Sequence, residues 1–377
     1  MYQRILDLND LLEKKSFFLF GPRMTGKTTL IRRTLGDVHF FDLLKRDHFR
    51  RLVKDPGLLA DLDPKKTVVI DEIQKLPHLL DEVHRLIESK KIRFLLTGSS
   101  ARKLRRGAAN LMAGRAWQAN LFPLTWREIP EFDLFKYLNR GGMPHIYPNK
   151  YAEEELAEYV SLYLREEIQA EAVTRNIEAF SEFLDLAARS NGQEINYQSL
   201  ASDCGVAVNT IKNYFQILDD TLIGFRLPAF TKTKKRKAIT RPKHYFFDIG
   251  VVGALSNRGT IKDRSNAVGP AFEHFVIQEV RAYLSYRRNR TPMRYWRSTS
   301  RFEVDLILGQ KIAMEIKAAR SVSDKHLKGL RALKEEGLIE HYLVVSRDPI
   351  ERTTQDGIVL MPYTRFLEQL WEDKLIG

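Results

Sequence analysis

Short runs of consecutive apolar residues recur through the first third of the chain, separated by amphipathic or polar stretches. The runs at 16–20, 38–42, 67–72 and 92–97 are dominated by phenylalanine, valine, isoleucine and leucine. Strands that are buried on both faces of a sheet have this composition. The segment 47–62 has a helical pattern that Pro56 and Gly57 interrupt. The pattern therefore predicts an α/β fold in which helices cover a parallel sheet.

Helical periodicity dominates the middle of the chain, and strands return in the last third. In the middle, a long charged helix is predicted over 151–174, and two helices joined by a glycine turn are predicted over 200–218, before a strand at 222–227. The later elements are a helix at 272–280, strands at 293–297, 302–308 and 312–317, a helix at 324–335 and a strand at 341–345. We predict three domains, at 1–130, 131–243 and 244–377.

A glycine-bracketed loop follows the first predicted strand and precedes an amphipathic helix. Its spacing is G-x-x-x-x-G-K-T, in which backbone N–H groups point at a triphosphate, Lys27 reaches the β and γ oxygens, and the Thr28 hydroxyl ligates magnesium. The following helix adds its positive N-terminus. A glycine-rich turn that matches by chance is the alternative, but the strand before and the helix after favour nucleotide binding. The expected nucleotide-binding residues are Gly21, Pro22, Arg23, Met24, Thr25, Gly26, Lys27, Thr28 and Thr29.

Two acids end the third apolar run. A strand that is buried on both faces places such acids at its C-terminal end, where α/β sheets bind ligands. Asp71 is expected to hold magnesium through water, and Glu72 to polarise the attacking water, because phosphoryl transfer depends on positioning and charge neutralisation. The alternative is that the two acids only cap the next helix.

Hydroxyl and basic residues follow the fourth apolar run. Ser99 and Ser100 are candidates to sense the γ-phosphate or the attacking water, although a Gly-Ser-Ser turn equally caps a helix. Arg115, which follows small residues, is the candidate arginine finger that completes the site of a neighbouring subunit. The basic residues of this segment are otherwise typical of a solvated face.

The composition excludes some kinds of site and indicates the compartment and the partners of the protein. The 377 residues include one cysteine, Cys204, which excludes a disulfide framework and a multi-cysteine zinc site. No apolar run approaches the roughly 20 residues of a membrane helix, and the first residues do not form a secretory signal, so a cytoplasmic protein without a membrane partner is expected. The net charge of +13 favours polyanionic partners.

These motifs together resemble a known protein family. The loop at 21–28, the strand at 68–72, the tip at 97–100 and the segments 113–115 and 121–124 are similar to the AAA-type ATPase domain of a large family of bacteria and archaea. Members join that domain to a C-terminal region of restriction-endonuclease-like type. The resemblance spans nearly the whole chain and implies ATP as the nucleotide, Mg²⁺ as its metal, and a homo-oligomer with a hexameric ring as the candidate assembly.

The middle region has the element order of a winged helix-turn-helix. Its second helix, in which Ile211, Phe215 and Leu218 form one apolar face, is the element that enters the major groove of DNA in such folds. The basic run 232–237, with Arg241 and Lys243 beyond it, is expected to neutralise DNA phosphates. Winged helices also mediate protein contacts, and packing against the ATPase domain is the alternative.

The last third resembles the PD-(D/E)xK nucleases in its order of elements and in its acids. Strand alternation places Glu315 and Lys317 on one face of their strand. The resemblance implies that Asp305 and Glu315 hold Mg²⁺ or Mn²⁺, that Lys317 orients or deprotonates water, and that Glu273 supports the metal from the preceding helix. His274 follows Glu273 where asparagine is expected, which puts metal binding in question.

These features favour a magnesium-dependent ATPase that binds DNA and carries a metal-dependent nuclease activity. Its fold would combine a P-loop AAA-type domain, a helical and winged-helix middle, and a restriction-endonuclease-like α/β C-terminal domain. Two alternatives remain at this point. One is a nucleotide-driven switch whose C-terminal domain is a silent binding module, and the other is an ATP-driven DNA motor without nuclease activity.

Overall fold

The first sheet is built from the apolar runs of the N-terminal third. The structure is a computed structural model that describes residues 2–98, 116–164 and 176–376. The sheet has the order β2-β3-β4-β1-β5 and all its pairs are parallel, which confirms the predicted parallel sheet. Its strands are β1 (Phe17–Phe20), β2 (His39–Asp42), β3 (Val68–Asp71), β4 (Phe94–Gly98) and β5 (Trp117–Asn120).

Helices cover both faces of this sheet. Because successive side chains of a strand point to opposite faces, Phe17 and Leu19 pack into one core while Phe18 and Phe20 pack into the other. Each such buried side chain stabilises the fold by roughly 1.5–3 kcal/mol relative to an exposed one. The covering helices are α1 (Leu8–Lys14), α2 (Lys27–Thr34), α3 (Arg46–Lys54) and α4 (Leu79–Ser89), with a 3₁₀ helix at Pro56–Asp61.

The strand β5 was not predicted. Its sequence is Trp-Gln-Ala-Asn, and only Ala119 is fully buried. It is an edge strand that pairs with β1 alone, so its polar side chains can face solvent. A strand of this kind lacks the apolar run from which the other four were predicted.

The middle region is helical, with one small antiparallel sheet. The helix predicted over 151–174 begins as an α-helix and continues as a π-helix at Tyr159–Leu164, and its remainder lies outside the described residues. The strand β7 spans residue 243, so the boundary predicted between 243 and 244 falls inside a strand. The elements are α5 (Leu134–Arg140), α6 (Ala152–Glu158), α7 (Ile177–Arg189), α8 (Tyr197–Asp203), α9 (Val208–Asp220), β6 (Gly224–Leu227) and β7 (Lys243–Phe246).

The C-terminal region forms a six-stranded mixed sheet of order β12-β13-β11-β10-β9-β8. The first three strands in sequence are antiparallel neighbours, and β11 then pairs in parallel with β10. The predicted three strands, helix and strand are all present, whereas β12, β13 and the last helix were not predicted. The strands are β8 (Met293–Arg297), β9 (Glu303–Leu308), β10 (Ile312–Lys317), β11 (His341–Ser346), β12 (Arg352–Thr353) and β13 (Val359–Pro362).

Helices of the C-terminal region tie it to the middle. The helices are α10 (Ile249–Leu255), α11 (Val268–Tyr286), α12 (Lys328–Lys334) and α13 (Tyr363–Trp371). One apolar core contains residues between Phe122 and Ile376 and includes residues of both regions. In the part of the chain that the structure describes, no helix has both the length and the apolar character to cross a membrane.

Candidate functional site

The glycine-bracketed loop connects β1 to α2 in a conformation that needs glycine at two positions. Gly26 has φ +92°, in the left-handed region, and stands directly before the first residue of α2. At Gly21 an added Cβ would lie 2.5 Å from the carbonyl oxygen of Leu121, which is too close for any side chain. The loop therefore has the backbone freedom and close packing that a phosphate cradle requires.

The Lys27 side chain lies over the loop. Its Nζ donates to the carbonyl oxygens of Gly21, at 2.6 Å, and Pro22, at 3.1 Å, and the residue is buried. The Thr25 hydroxyl also donates to Pro22 O, at 2.8 Å. The ammonium group is thus held beside the backbone that is expected to cradle phosphate.

Asp71 accepts hydrogen bonds both from the start of α2 and from the neighbouring strand β4. The Thr28 hydroxyl donates to Asp71 Oδ2 at 2.7 Å, and the Thr97 hydroxyl of β4 donates to Oδ1. Thr97 also accepts the backbone N–H of Glu72, at 3.1 Å. A hydroxyl and a carboxylate in contact form the oxygen donor set that Mg²⁺ prefers, so Thr28 and Asp71 fit the ion.

Glu72 has an unusual backbone and an unusual environment. Its φ is +62°, a left-handed value that costs a non-glycine residue about 1–3 kcal/mol. Burial raises the pKa of its carboxyl, against the opposing effect of Lys27, and Gln74 Nε2 donates to Oε2. A base must be deprotonated to act, so a raised pKa would make turnover fall as the pH falls through that pKa.

A large cavity adjoins the loop at Met24 and Gly26. It has a volume of about 1680 Å³ and lies between the N-terminal residues, the start of α2 and residues of the middle region. Arg4, Met24, Thr29 and His145 are among its lining residues. The role of the N-terminal residues was not predicted, because they carry no motif. Ser99, Ser100 and Arg115 lie outside the described residues.

The C-terminal acids meet across two antiparallel strands. The register pairs Met314 with Leu306, which puts Glu315 and Asp305 opposite each other at the next position. Asp305 Oδ2 accepts the backbone N–H of Ile316, at 2.7 Å. Lys317 Nζ lies 2.6 Å from Glu315 Oε1 and 3.3 Å from Asp305 Oδ2. The structure thus brings together Asp305, Glu315 and Lys317.

Burial and neighbouring charges shift the pKa values of Glu315 and Lys317. Burial and the adjacent Asp305 hold the pKa of Glu315 well above its ordinary range, although Lys317 opposes them. Burial lowers the pKa of Lys317, but the two carboxylates outweigh it and raise that pKa. Glu315 Oε2 is buried and has no hydrogen-bond partner among the described residues. A divalent cation between Glu315 and Asp305 would satisfy that oxygen, so the pair fits a metal.

Glu273 lies on the same side of the C-terminal region as Asp305, but it is paired with other groups. Its Oε1 accepts from Lys243 Nζ, at 3.0 Å, and from the Tyr245 hydroxyl, at 2.6 Å. Lys243 Nζ also lies 2.8 Å from Glu303 Oε1. In the described ranges, no group of three or more His, Cys, Asp or Glu side chains is arranged to hold a metal ion. Glu273 is therefore held by Lys243 and Tyr245, and not by Asp305, Glu315 or Lys317.

The prediction that Lys243 neutralises DNA phosphates is wrong. The residue is only 3% exposed, because its strand β7 points it at Glu273 and Glu303. Lys243 is the first residue of the strand Lys-His-Tyr-Phe, and all four residues of this strand are buried. Its two partners lie 30 and 60 residues further along the chain, so no local pattern identifies them.

His274 does not take part in the acidic cluster. Its Nε2 lies 2.9 Å from the carbonyl oxygen of Phe246, and its Nδ1 lies 3.2 Å from Asn191 Nδ2. Burial lowers its pKa to about 3, which keeps the ring neutral. The histidine thus links α11 to β7 and the middle region, and it makes no hydrogen bond to Glu273, Asp305 or Glu315 among the described residues.

The basic run 232–237 is anchored to the C-terminal region. The backbone N–H groups of Lys234, Lys235 and Arg236 all donate to the carboxylate of Glu336. Arg236 also forms an ion pair with Glu335, at 2.6 Å. Part of the charge expected to face DNA is therefore already neutralised within the protein.

Comparison with known proteins assigns the first part of the chain. Residues 13–130 match the family model of an AAA domain. An AAA domain indicates a nucleotide-binding ATPase, in agreement with the loop and with Asp71. Residues 131–262 and 268–366 match two domains of unknown function, DUF8612 and DUF4143.

Relatives extend over most of the chain. An uncharacterized protein of Mycobacterium tuberculosis is 28% identical over 375 residues, which cover 95% of this chain and 82% of the relative. An uncharacterized protein of Methanocaldococcus jannaschii is 24% identical over 390 residues, covering 85% of this chain and 79% of the relative. The similarity thus includes all three matched regions.

The matched regions separate the two candidate sites. Lys27, Thr28, Asp71 and Glu72 lie within the AAA domain, whereas Glu273, Asp305, Glu315 and Lys317 lie within the DUF4143 region. Arg4 precedes the matched AAA range. The winged-helix and nuclease interpretations of the two later regions stay predictions.

Proposed function

We propose that the protein is a magnesium-dependent ATPase that uses the loop at 21–28 to bind the triphosphate. The observation that carries this proposal is the contact between Thr28 and Asp71, at 2.7 Å, beside the Lys27 ammonium. Lys27 would contact the β and γ oxygens, and Thr28 and Asp71 would hold Mg²⁺, directly and through water. Glu72 would orient the attacking water. The adjoining cavity has room for the nucleoside.

The proposal is tested by ATP turnover of the purified full chain. Phosphate release should require Mg²⁺, stop on chelation and return when the metal is restored. If ATP binds tightly but no phosphate is released with any of several metals, with or without DNA, the domain binds the nucleotide without hydrolysing it.

We also propose that the ATPase acts on DNA and that the C-terminal cluster cleaves phosphodiester bonds with a divalent metal. The observation that favours this second activity is the buried, unsatisfied Glu315 Oε2 beside Asp305 and Lys317. Asp305 and Glu315 would hold Mg²⁺ or Mn²⁺, which supplies charge stabilisation and an activated water. Lys317 would orient that water, and Glu273 would support the metal site from α11.

DNA binding through the basic run predicts a salt dependence. Lys234 and Lys237 are exposed and form no ion pair among the described residues, so both can contact phosphates. Replacing both by glutamine should lower the slope of log affinity against log salt by about 2 units, since each phosphate contact contributes roughly 0.9. Fluorescence anisotropy with duplex DNA over a range of salt concentrations measures the slope.

A matched control comes from the AAA domain. Arg46 and Arg50 of α3 are exposed and have no ion pair within the described part of the chain. The variant Arg46→Gln/Arg50→Gln removes the same charge and should leave the slope unchanged. If this pair lowers the slope and the Lys234/Lys237 pair does not, the DNA site lies on α3.

If the protein assembles into a ring in which Arg115 acts on the site of the neighbouring subunit, two inactive variants should restore activity when they are mixed. Arg115→Ala should bind ATP and assemble but lose turnover, because an arginine finger contributes about 10³–10⁵ to the rate. A mixture of Arg115→Ala with Glu72→Gln should regain part of the activity, since the second variant supplies the finger to the intact site of the first. Fully active monomers, or mixtures without any recovery, would contradict the assignment.

A further inference from the structure

Arg4 is a buried cation that contacts the loop at 21–28, which is the phosphate loop of the proposed function. Its side chain is 7% exposed, and Nη1 donates to the carbonyl oxygen of Thr25 at 2.8 Å. Its Nη2 donates to the carbonyl oxygen of Phe122, at 2.6 Å, and Nε pairs with Glu128 at 2.9 Å. A guanidinium with its donors fixed in this way holds three segments in one geometry.

Glu128 and Tyr286 complete this arrangement. The Glu128 carboxylate also accepts the N–H groups of Ile5, at 2.8 Å, and Thr125, at 2.9 Å. The Tyr286 hydroxyl accepts from Arg4 Nη2 and from the backbone N–H of Phe122, each at 3.2 Å. Tyr286 is the last residue of α11, so Arg4 connects the phosphate loop directly to that helix.

The same helix carries Glu273, on the side of the C-terminal acids. Glu273 precedes Tyr286 by 13 residues, which at 1.5 Å per residue places them about 20 Å apart along the axis. A helix that is buried along most of its length transmits a displacement at one end to the other with little bending. The helix α11 thus connects Glu273 to Tyr286, and Tyr286 contacts the loop at 21–28 through Arg4.

We propose that Arg4 is a positioning residue that fixes the phosphate loop through Thr25 and couples nucleotide binding to α11 through the Tyr286 hydroxyl. This inference rests on the proposed function, because it assumes that the loop binds nucleotide. Coupling is reciprocal: if nucleotide tightens the Arg4 contacts, a more ordered α11 also favours nucleotide binding.

The first arm of the test measures nucleotide affinity. Arg4→Gln should weaken binding of a non-hydrolysable ATP analogue by roughly ten-fold or more, because hydrogen bonds from a charged donor are lost. Since a lone buried Glu128 would destabilise the fold, the double variant Arg4→Gln/Glu128→Gln removes both charges, and circular dichroism verifies folding. Unchanged affinity in the folded double variant would overturn the positioning role. If the wild type binds no nucleotide, the proposed function fails instead.

The second arm measures coupling by hydrogen exchange. In the wild type, the ATP analogue should slow amide exchange at the C-terminal end of α11 by at least about five-fold. Tyr286→Phe removes only the hydroxyl and should abolish this slowing, while its nucleotide affinity falls by less than that of Arg4→Gln, because the contact of Arg4 with Thr25 remains.

Tyr283→Phe is the matched control for the second arm. It removes a hydroxyl from the same helix, one turn away, but that hydroxyl bonds to Asp373 and to the carbonyl oxygen of Ile376. Its exchange response to nucleotide should equal that of the wild type. The coupling is refuted if the two phenylalanine variants respond alike, or if nucleotide binds the wild type without slowing exchange in α11.

Discussion

Glu72→Gln should bind ATP normally and lose turnover by at least about a hundred-fold. The amide keeps the size of the side chain but cannot accept a proton, and positioned proton transfer contributes about 10²–10⁴ to a rate. Nucleotide affinity depends on the loop and on Lys27, which the substitution leaves in place. Single-turnover phosphate release and equilibrium binding, measured on the same preparation, separate the two steps.

Two comparison variants make this result specific. Lys27→Ala should abolish binding as well as turnover, because it removes the cation beside the β and γ oxygens. Glu82→Gln makes the same chemical change at an acid of α4 that pairs with Arg85, and should leave both quantities unchanged. Undiminished hydrolysis by Glu72→Gln would refute its role. In the wild type, turnover should fall as the pH falls through the raised pKa of Glu72.

Asp305→Ala and Lys317→Ala should each abolish DNA cleavage while ATP turnover continues. Asp305 would supply one of two carboxylates to the metal, and Lys317 would place the attacking water, so neither can be replaced by the residues that remain. The residues proposed for ATP hydrolysis lie in another matched region of the chain. Cleavage of linear, branched and single-stranded DNA with Mg²⁺ or Mn²⁺ is the assay.

A metal-binding measurement gives this prediction a second readout. Mn²⁺ binding followed by electron paramagnetic resonance should be lost in Asp305→Ala but kept in Asp324→Asn, an exposed acid of the same region that pairs with Arg331. Equal cleavage by wild type and Asp305→Ala would place the activity elsewhere or in a contaminant. If no DNA is cut and no metal is bound, the C-terminal region is a silent binding module.

Features that depend on local sequence could be predicted, and those that depend on distant partners could not. The strands at 17–20 and 68–71 were predicted because a strand buried on both faces leaves an apolar run. The register of β9 and β10 follows from a short turn, so Asp305 and Glu315 were expected to lie together. The contacts of Arg4 with Glu128 and Tyr286 span 124 and 282 residues, and no periodicity encodes them.

Charge was the least reliable guide to exposure. In the sequence, nothing distinguishes Arg236 from the lysines of the basic run 232–237, or Lys243 from an exposed lysine that follows it. Lys243 is buried between two glutamates, and Arg236 is paired with Glu335. A basic run predicts a polyanion only where its cations have no acid of the same protein within reach, and that is decided by the tertiary fold.

The apolar core that the middle and C-terminal regions share, with residues between Phe122 and Ile376, has a consequence for folding. A hinge needs a place where few buried contacts cross, whereas β6 and β7 pair across the predicted boundary at 243/244 and contribute buried residues to this core. The two regions should therefore unfold in one cooperative transition, and a fragment that begins at residue 244 would expose the surfaces that pack on the middle helices.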